Sequence, residues 1–176
     1  MPITWFRWYY AVGLILCATA LAIAFMLEYR EGVMPCALCQ LQRLMFLGVA
    51  LGFLFTLARR RLTRSRLRWT ALFNTLWIIC GLYFALRQLW LIHVPQAEPG
   101  VCGAGIIYIF NHLPLGDALK ATLLGTGDCA IISWRHWGIT LPGWSAMVFT
   151  TVLLLSWLPL LCSRRRYKIN PSDAKL

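Results

Sequence analysis

The sequence predicts an all-α membrane protein: a bundle of four transmembrane helices with one long outer loop that carries a short interfacial amphipathic helix. Three observations predict it. Hydrophobic residues make up 60% of the 176 residues, charged residues only 13%, and the mean hydropathy is +0.66, which is too apolar for a soluble domain of this size. The apolar residues gather in four runs, each close to the about 20 residues a helix needs to cross the hydrocarbon of a bilayer. The runs are apolar on every face, whereas the strands of a membrane barrel alternate in segments of about 10 residues. A β-barrel is therefore excluded.

The first helix is expected over about 8–27. Ala18, Ala20, Ala22 and Ala24 supply the small residues of a signal peptide, and Cys17 suggests a lipidation site. The apolar core, however, exceeds the about 7–15 residues of a signal peptide's hydrophobic region, the small residues lie inside it, and Leu16 is bulky for the position before a lipidated cysteine. The expectation is an uncleaved helix. A short outer loop, 28–37, leads to a second helix at about 38–58, an inner loop at 59–68 and a third helix at about 69–86. The long outer loop, 87–143, exceeds most structureless loops and is read as functional. Within it "LPLGDALKATLLGTG" sets Leu115, Ala118, Leu119, Thr122 and Leu123 at helical spacing. That segment is too short to span, and fits either an amphipathic helix on the membrane interface or one packed on the bundle. The fourth helix, about 144–162, precedes a tail at 163–176. Nothing repeats, and four such helices make a single membrane domain over 1–176.

The formal charge of +11 raises the question of nucleic acid, but its distribution argues against it. Arg59, Arg60, Arg61, Arg64, Arg66 and Arg68 fill the inner loop, Arg164, Arg165, Arg166, Lys168 and Lys175 follow the last span, and Arg7 precedes the first. Only Arg30, Arg87, Lys120 and Arg135 lie on the other side, with Arg43 near an edge. The positive-inside rule then sets both termini in the cytoplasm. Basic segments beside the spans attract anionic lipid, so the expected partner of this charge is the bilayer.

Seven cysteines divide into two sets. Cys17, Cys80 and Cys162 fall inside spans, where a thiol packs as a small apolar group. Cys36, Cys39, Cys102 and Cys129 fall on the outer side, and where that side is oxidising they can form two disulfides. "PCALCQLQR" places a Cys-x-x-Cys pair at the start of the second helix, where backbone N–H groups and the helix dipole stabilise a thiolate, the species that performs exchange. Arg43 lies four residues beyond Cys39 on the same helical face. It can stabilise the sulfur anion or bond a polar ligand at the interface; the alternative is a side chain snorkelling to headgroups. Cys102 and Cys129 could simply brace the loop. A metal site is not expected, because His93, His112 and His136 match no compact ligand spacing with the cysteines.

"PCALCQLQR", "CGAGIIYIFNHLPLGDALKATLLGTGDCAIISW" and "GITLPGW", in that order and with this topology, resemble the DsbB family of disulfide bond formation proteins of the bacterial inner membrane. The resemblance covers nearly the whole chain. It implies a quinone-dependent protein disulfide oxidoreductase that reoxidises a periplasmic thioredoxin-like oxidase, DsbA, using ubiquinone or menaquinone. It implies further that Cys36 and Cys39 pass electrons to the quinone, with Cys39 facing the ring and Arg43 binding and polarising it. Cys102 and Cys129 would meet DsbA in the long periplasmic loop, and His93 is a weaker candidate for a quinone contact. Two stretches depart from the family: Ile131 stands where an acidic residue is common, and "RHWG" at 135–138 replaces a more apolar segment. Both bear on partner preference. Because thiol exchange proceeds through mixed disulfides, the resemblance also leads to an expected transient link between Cys129 and Cys36.

Two rival readings are a vitamin K epoxide reductase-like enzyme and a non-catalytic membrane scaffold with structural disulfides. In the first the loop pair precedes the Cys-x-x-Cys, and here that order is reversed. Turnover with a quinone separates the second.

Overall fold

The computed structural model describes residues 3–32, 35–59, 64–94, 106–125, 129 and 134–169, the side chains of 3–6, 31, 64 and 162–169 excepted. In chain order its elements are α1 (Ile3–Glu31), α2 (Ala37–Ala58), α3 (Arg64–His93), α4 (Ile106–His112), α5 (Leu115–Leu124), a two-stranded hairpin of β1 (Arg135–His136) and β2 (Ile139–Thr140), and α6 (Leu141–Ile169). Four of them, α1, α2, α3 and α6, are long and apolar enough to cross a membrane. With no water in hydrocarbon, each spanning segment must satisfy its own backbone, and the helix does so.

The helices outrun the apolar runs that predicted them. Hydropathy marks the part in hydrocarbon, but i to i+4 bonding continues through Arg64–Arg68 and Arg87–His93 because arginine, leucine and glutamine are good helix formers. The start of the expected long outer loop is thus the last two turns of α3, and α6 likewise continues past residue 162.

α1 packs on α2, α2 on α3, α3 on α6 and α6 back on α1, and of these neighbours α1 and α6 touch least. The core holds Tyr10, Cys17, Phe46, Val49, Phe53, Ile78, Phe149 and Val152, with the Phe46 and Phe149 rings stacked 3.9 Å apart. Leu44, Leu47, Leu54, Leu76 and Ile79 point outward and are exposed. Lipid tails are as apolar as leucine, so close packing and interhelical hydrogen bonds must hold the helices together. Gly13 permits one close approach: a Cβ there would stand 2.7 Å from the Phe53 ring. Trp157 Nε1 donates to Thr75 Oγ1 at 2.9 Å, and Arg7 Nη2 to the Leu57 carbonyl at 2.9 Å. Cys17 is fully buried in this core, as expected of a packing thiol, and Cys80 packs beside Leu38, Phe84 and Leu91. The side chain of Cys162 lies outside the described residues.

α4 and α5 cover the end of the bundle where α2 begins. Ala37, Ile109 and Ala118 form a small buried cluster between them. Gln40 Oε1 accepts from the Ile106 N–H at 3.2 Å, and Arg87 Nε donates to the Leu124 carbonyl at 3.0 Å. α5 turns Ala118 and Thr122 inward against the bundle, while Leu115 and Leu119 stay exposed. It ends at Gly125, whose φ of +79° suits glycine, and whose missing Cβ would lie 2.7 Å from Leu38 and 2.8 Å from Leu91.

Candidate active site

Cys36 is the N-cap of α2, in extended conformation, and its carbonyl accepts from the Gln40 N–H at 3.1 Å. Cys39 sits in the first turn. The two sulfurs are 3.1 Å apart, both as free thiols. Cys129, fully buried against Leu38, Phe84 and Leu91, brings its thiol into hydrogen-bonding contact with Cys36. Three of the four outer cysteines therefore converge, with Cys36 in the middle. Cys102 lies outside the described residues. The hydrogen bond with Cys129, then that with Cys39, then burial push the Cys36 thiol above the usual range for a thiol.

Two glutamines missed in the sequence reading complete the arrangement. Gln88 of α3 and Gln42 of α2 are both buried. Gln42 Nε2 donates to Gln88 Oε1 at 2.9 Å. That bond fixes the Gln88 amide, so that Nε2 faces sulfur: 3.2 Å from Cys39 Sγ and 3.6 Å from Cys36 Sγ. Sequence offers little signal for this pairing, because the partners are 46 residues apart and "LRQLW" looks like a helix leaving the bilayer.

Arg43 is tied to α1. Its guanidinium pairs with Glu28 of α1, donates to the Ala24 carbonyl at 3.0 Å and lies over the Phe25 ring at 4.9 Å. Arg43, Cys39, Gln42 and Gln88 form one wall of a cavity of about 290 Å³ between α1, α2 and α6. Ala20, Leu21, Ile23, Phe46 and Val148 make the remainder largely apolar, and Ile23, at its rim, is 45% exposed, so the cavity opens sideways toward lipid. The hairpin roofs it with Trp134 and His136, their rings stacked at 5.5 Å. Its turn is Trp137–Gly138, both at positive φ, as a two-residue hairpin turn requires; tryptophan gives no such signal in sequence. The divergent "RHWG" stretch is thus the cavity's cover. His93 does not line it: that ring is exposed, with Nδ1 2.7 Å from the Leu89 carbonyl of its own helix.

An apolar, laterally open cavity with a few convergent polar groups suits a flat lipophilic ligand. Trp144 Nε1, also on its lining, is buried and has no hydrogen-bond partner among the described residues. A carbonyl oxygen would satisfy that donor, so the residues present fit a quinone. Among the described residues no group of three or more histidine, cysteine or acidic side chains is arranged to hold a metal ion.

Comparison with known proteins points to disulfide chemistry. The chain is 38% identical over 151 residues to the disulfide bond formation protein B of Methylococcus capsulatus, covering 84% of this chain and 92% of that protein. It is 37% identical over 170 residues to the protein of the same name from Marinobacter nauticus, covering 95% and 96%, and 37% identical over 151 residues to that of Chromobacterium violaceum, covering 85% and 89%. No solved structure gives a significant match. The family model described as disulfide bond formation protein DsbB matches residues 6–159; with four membrane-spanning helices and a thiol cluster at their edge, the chain belongs to the DsbB family of membrane disulfide oxidoreductases.

Proposed function

We propose that the protein is a thiol:quinone oxidoreductase of the bacterial inner membrane, with both termini in the cytoplasm, which reoxidises a DsbA-like periplasmic dithiol protein and passes the electrons to ubiquinone or menaquinone. One observation carries the reading: Cys39 opens on a membrane-level cavity beside Arg43 and the unpartnered Trp144 N–H, while Cys36 stands between Cys39 and Cys129.

The exchange proceeds as a relay. The thiolate of the reduced partner attacks Cys102 and breaks the Cys102–Cys129 disulfide, releasing Cys129. Cys129 attacks Cys36, forming a Cys36–Cys129 bond and expelling Cys39 as the thiolate. The direction follows from leaving-group chemistry. Cys39 faces the Gln88 N–H and has Arg43 on the same cavity wall, so negative charge is better supported on it as the leaving sulfur. The partner's second thiol then releases it from Cys102, and Cys102 resolves the Cys36–Cys129 bond. A quinone held there would supply the two-electron oxidant, and Cys36 and Cys39 would give up two electrons and two protons to it as their disulfide re-forms. Trp144 Nε1 would hold a carbonyl oxygen, the apolar walls would exclude water, and Arg43 would steady negative charge on Cys39.

The test is turnover by the purified protein with a reduced DsbA-type protein and each quinone in turn. Loss of quinone absorbance in step with thiol loss is expected. Thiol loss without quinone reduction would overturn the reading.

A further inference from the structure

A second lipid-facing cavity lies at the opposite end of the bundle from the cysteines. α2 and α3 leave an apolar trough of about 670 Å³ walled by Leu51, Leu54, Phe55, Ala58, Trp69 and Phe73. It runs into a smaller space of about 260 Å³ bounded by Thr56, Arg59 and Arg66; Phe55, Trp69 and Thr70 wall both. Any such trough at hydrocarbon depth is covered by lipid chains. What distinguishes this one is its basic end.

Arg59 is the C-cap of α2, and its guanidinium lies 4.4 Å from the centre of the Phe55 ring, held beside the trough rather than ranging through solvent. Arg66 is in the first turn of α3, where backbone N–H groups that end a helix add positive potential. Trp69, 72% exposed, stands where the two spaces meet, a placement tryptophan favours at headgroup depth. The segment 59–68 contains six arginines and no acidic residue. Apolar wall, aromatic collar and paired arginines follow one another along one line, in the order in which a phospholipid presents acyl chain, glycerol and phosphate.

We propose that this is a binding site for one anionic phospholipid, its acyl chain in the α2–α3 trough and its phosphate between Arg59 and Arg66. The site is separate from the thiol centre and independent of the quinone reading. A lipid is favoured over a free phosphate because the larger part of the site is apolar and continuous with hydrocarbon. Basic pockets between transmembrane helices have this chemistry.

Native mass spectrometry of the full chain in detergent, titrated with phosphatidylglycerol, phosphatidylcholine and chain-free glycerol phosphate, tests it. One phosphatidylglycerol per chain should be retained at about thirtyfold lower concentration than phosphatidylcholine, as two basic contacts require, and glycerol phosphate should not be retained. Arg59→Gln with Arg66→Gln should erase the preference, Arg135→Gln at the other end should leave it, and Ala58→Trp should displace the lipid with both arginines intact. Arg59→Gln alone, at an exposed position, should weaken the preference where the double variant does not fold. Equal retention of the two lipids, an unchanged preference in the Arg59 variants, or retention of glycerol phosphate would overturn the site.

Discussion

Gln88 is the residue on which the geometry around sulfur turns. Its Oε1 accepts from Gln42 Nε2 at 2.9 Å and from the Cys39 thiol at 3.6 Å, while its Nε2 donates to the sulfurs, so both halves of the amide bear on Cys39. Gln88→Leu should slow quinone-dependent turnover by roughly tenfold or more, the scale of a hydrogen bond to a charged group. It should also destabilise the fold by about 1–3 kcal/mol, because Gln42 Nε2 is left buried without an acceptor. In Gln42→Leu/Gln88→Leu the stability should largely return while turnover stays low; recovery of both on thermal unfolding and assay would assign Gln88 a packing role only. Cys36 offers a pH test. A raised pKa means less thiolate at any given pH, so alkylation of Cys36 in the reduced protein should lag an ordinary thiol, which is half-ionised near pH about 8.5. Cys129→Ala removes the largest cause of the rise, and its alkylation profile should move toward lower pH. A profile that stays in place, followed by peptide mass spectrometry, would show that the contact does not govern the proton. Both cysteines and Arg43 were legible in the sequence because thiols and a guanidinium are conspicuous at the edge of an apolar run. Gln42 and Gln88 were not, because a neutral amide gains meaning only from a partner on another helix.

At the scale of elements, the spans were legible and their ends were not. The bilayer demands a fixed length of apolar chain, so α2 matches its expected limits to within a residue. α3 exceeds its limits at both ends because nothing at the membrane surface interrupts helical hydrogen bonding. The outer cover shows the reverse. α5 announced itself by its spacing, whereas the hairpin that roofs the cavity rests on Trp137 at a φ of 50°, a conformation no residue pattern predicts for tryptophan. That hairpin brings His136 onto the cavity lining, a placement with no signal in the sequence. Gly125 joins α5 to the segment bearing Cys129 and leaves no room for a side chain against Leu38 and Leu91. Gly125→Ala should therefore strain the turn by about 1–3 kcal/mol and shift Cys129 relative to Cys36. In a Cys39→Ser background, where the Cys36–Cys129 link cannot be resolved by Cys39, the added substitution should lower the yield of linked peptide several-fold. An equal yield would show that Cys129 is placed by something other than this turn.

For the whole molecule, charge sets direction and packing sets access. The proposed orientation, with the arginines of 59–68 on the inner side, predicts that a reporter cysteine placed there resists an impermeant thiol reagent applied outside intact inner membranes, while reduced Cys102 reacts; Cys129, fully buried, should react far more slowly. Labelling of the inner loop under those conditions would reverse the topology. Overall architecture was legible because composition and charge are global properties, and a closed ring of four helices follows readily from four spans. The unequal seams of that ring were not, since they depend on which side chains interlock. The consequence concerns the shape of the electron acceptor. The thiol-side cavity lies along the seam between α1 and α6, the two neighbours that touch least, and opens past Ile23 rather than ending in a closed pocket. A side-opening of this kind grips a ring and lets whatever is attached to it trail into the oil. Isoprenoid tail length should then govern how fast acceptors arrive by partitioning, and hardly how fast they react once seated.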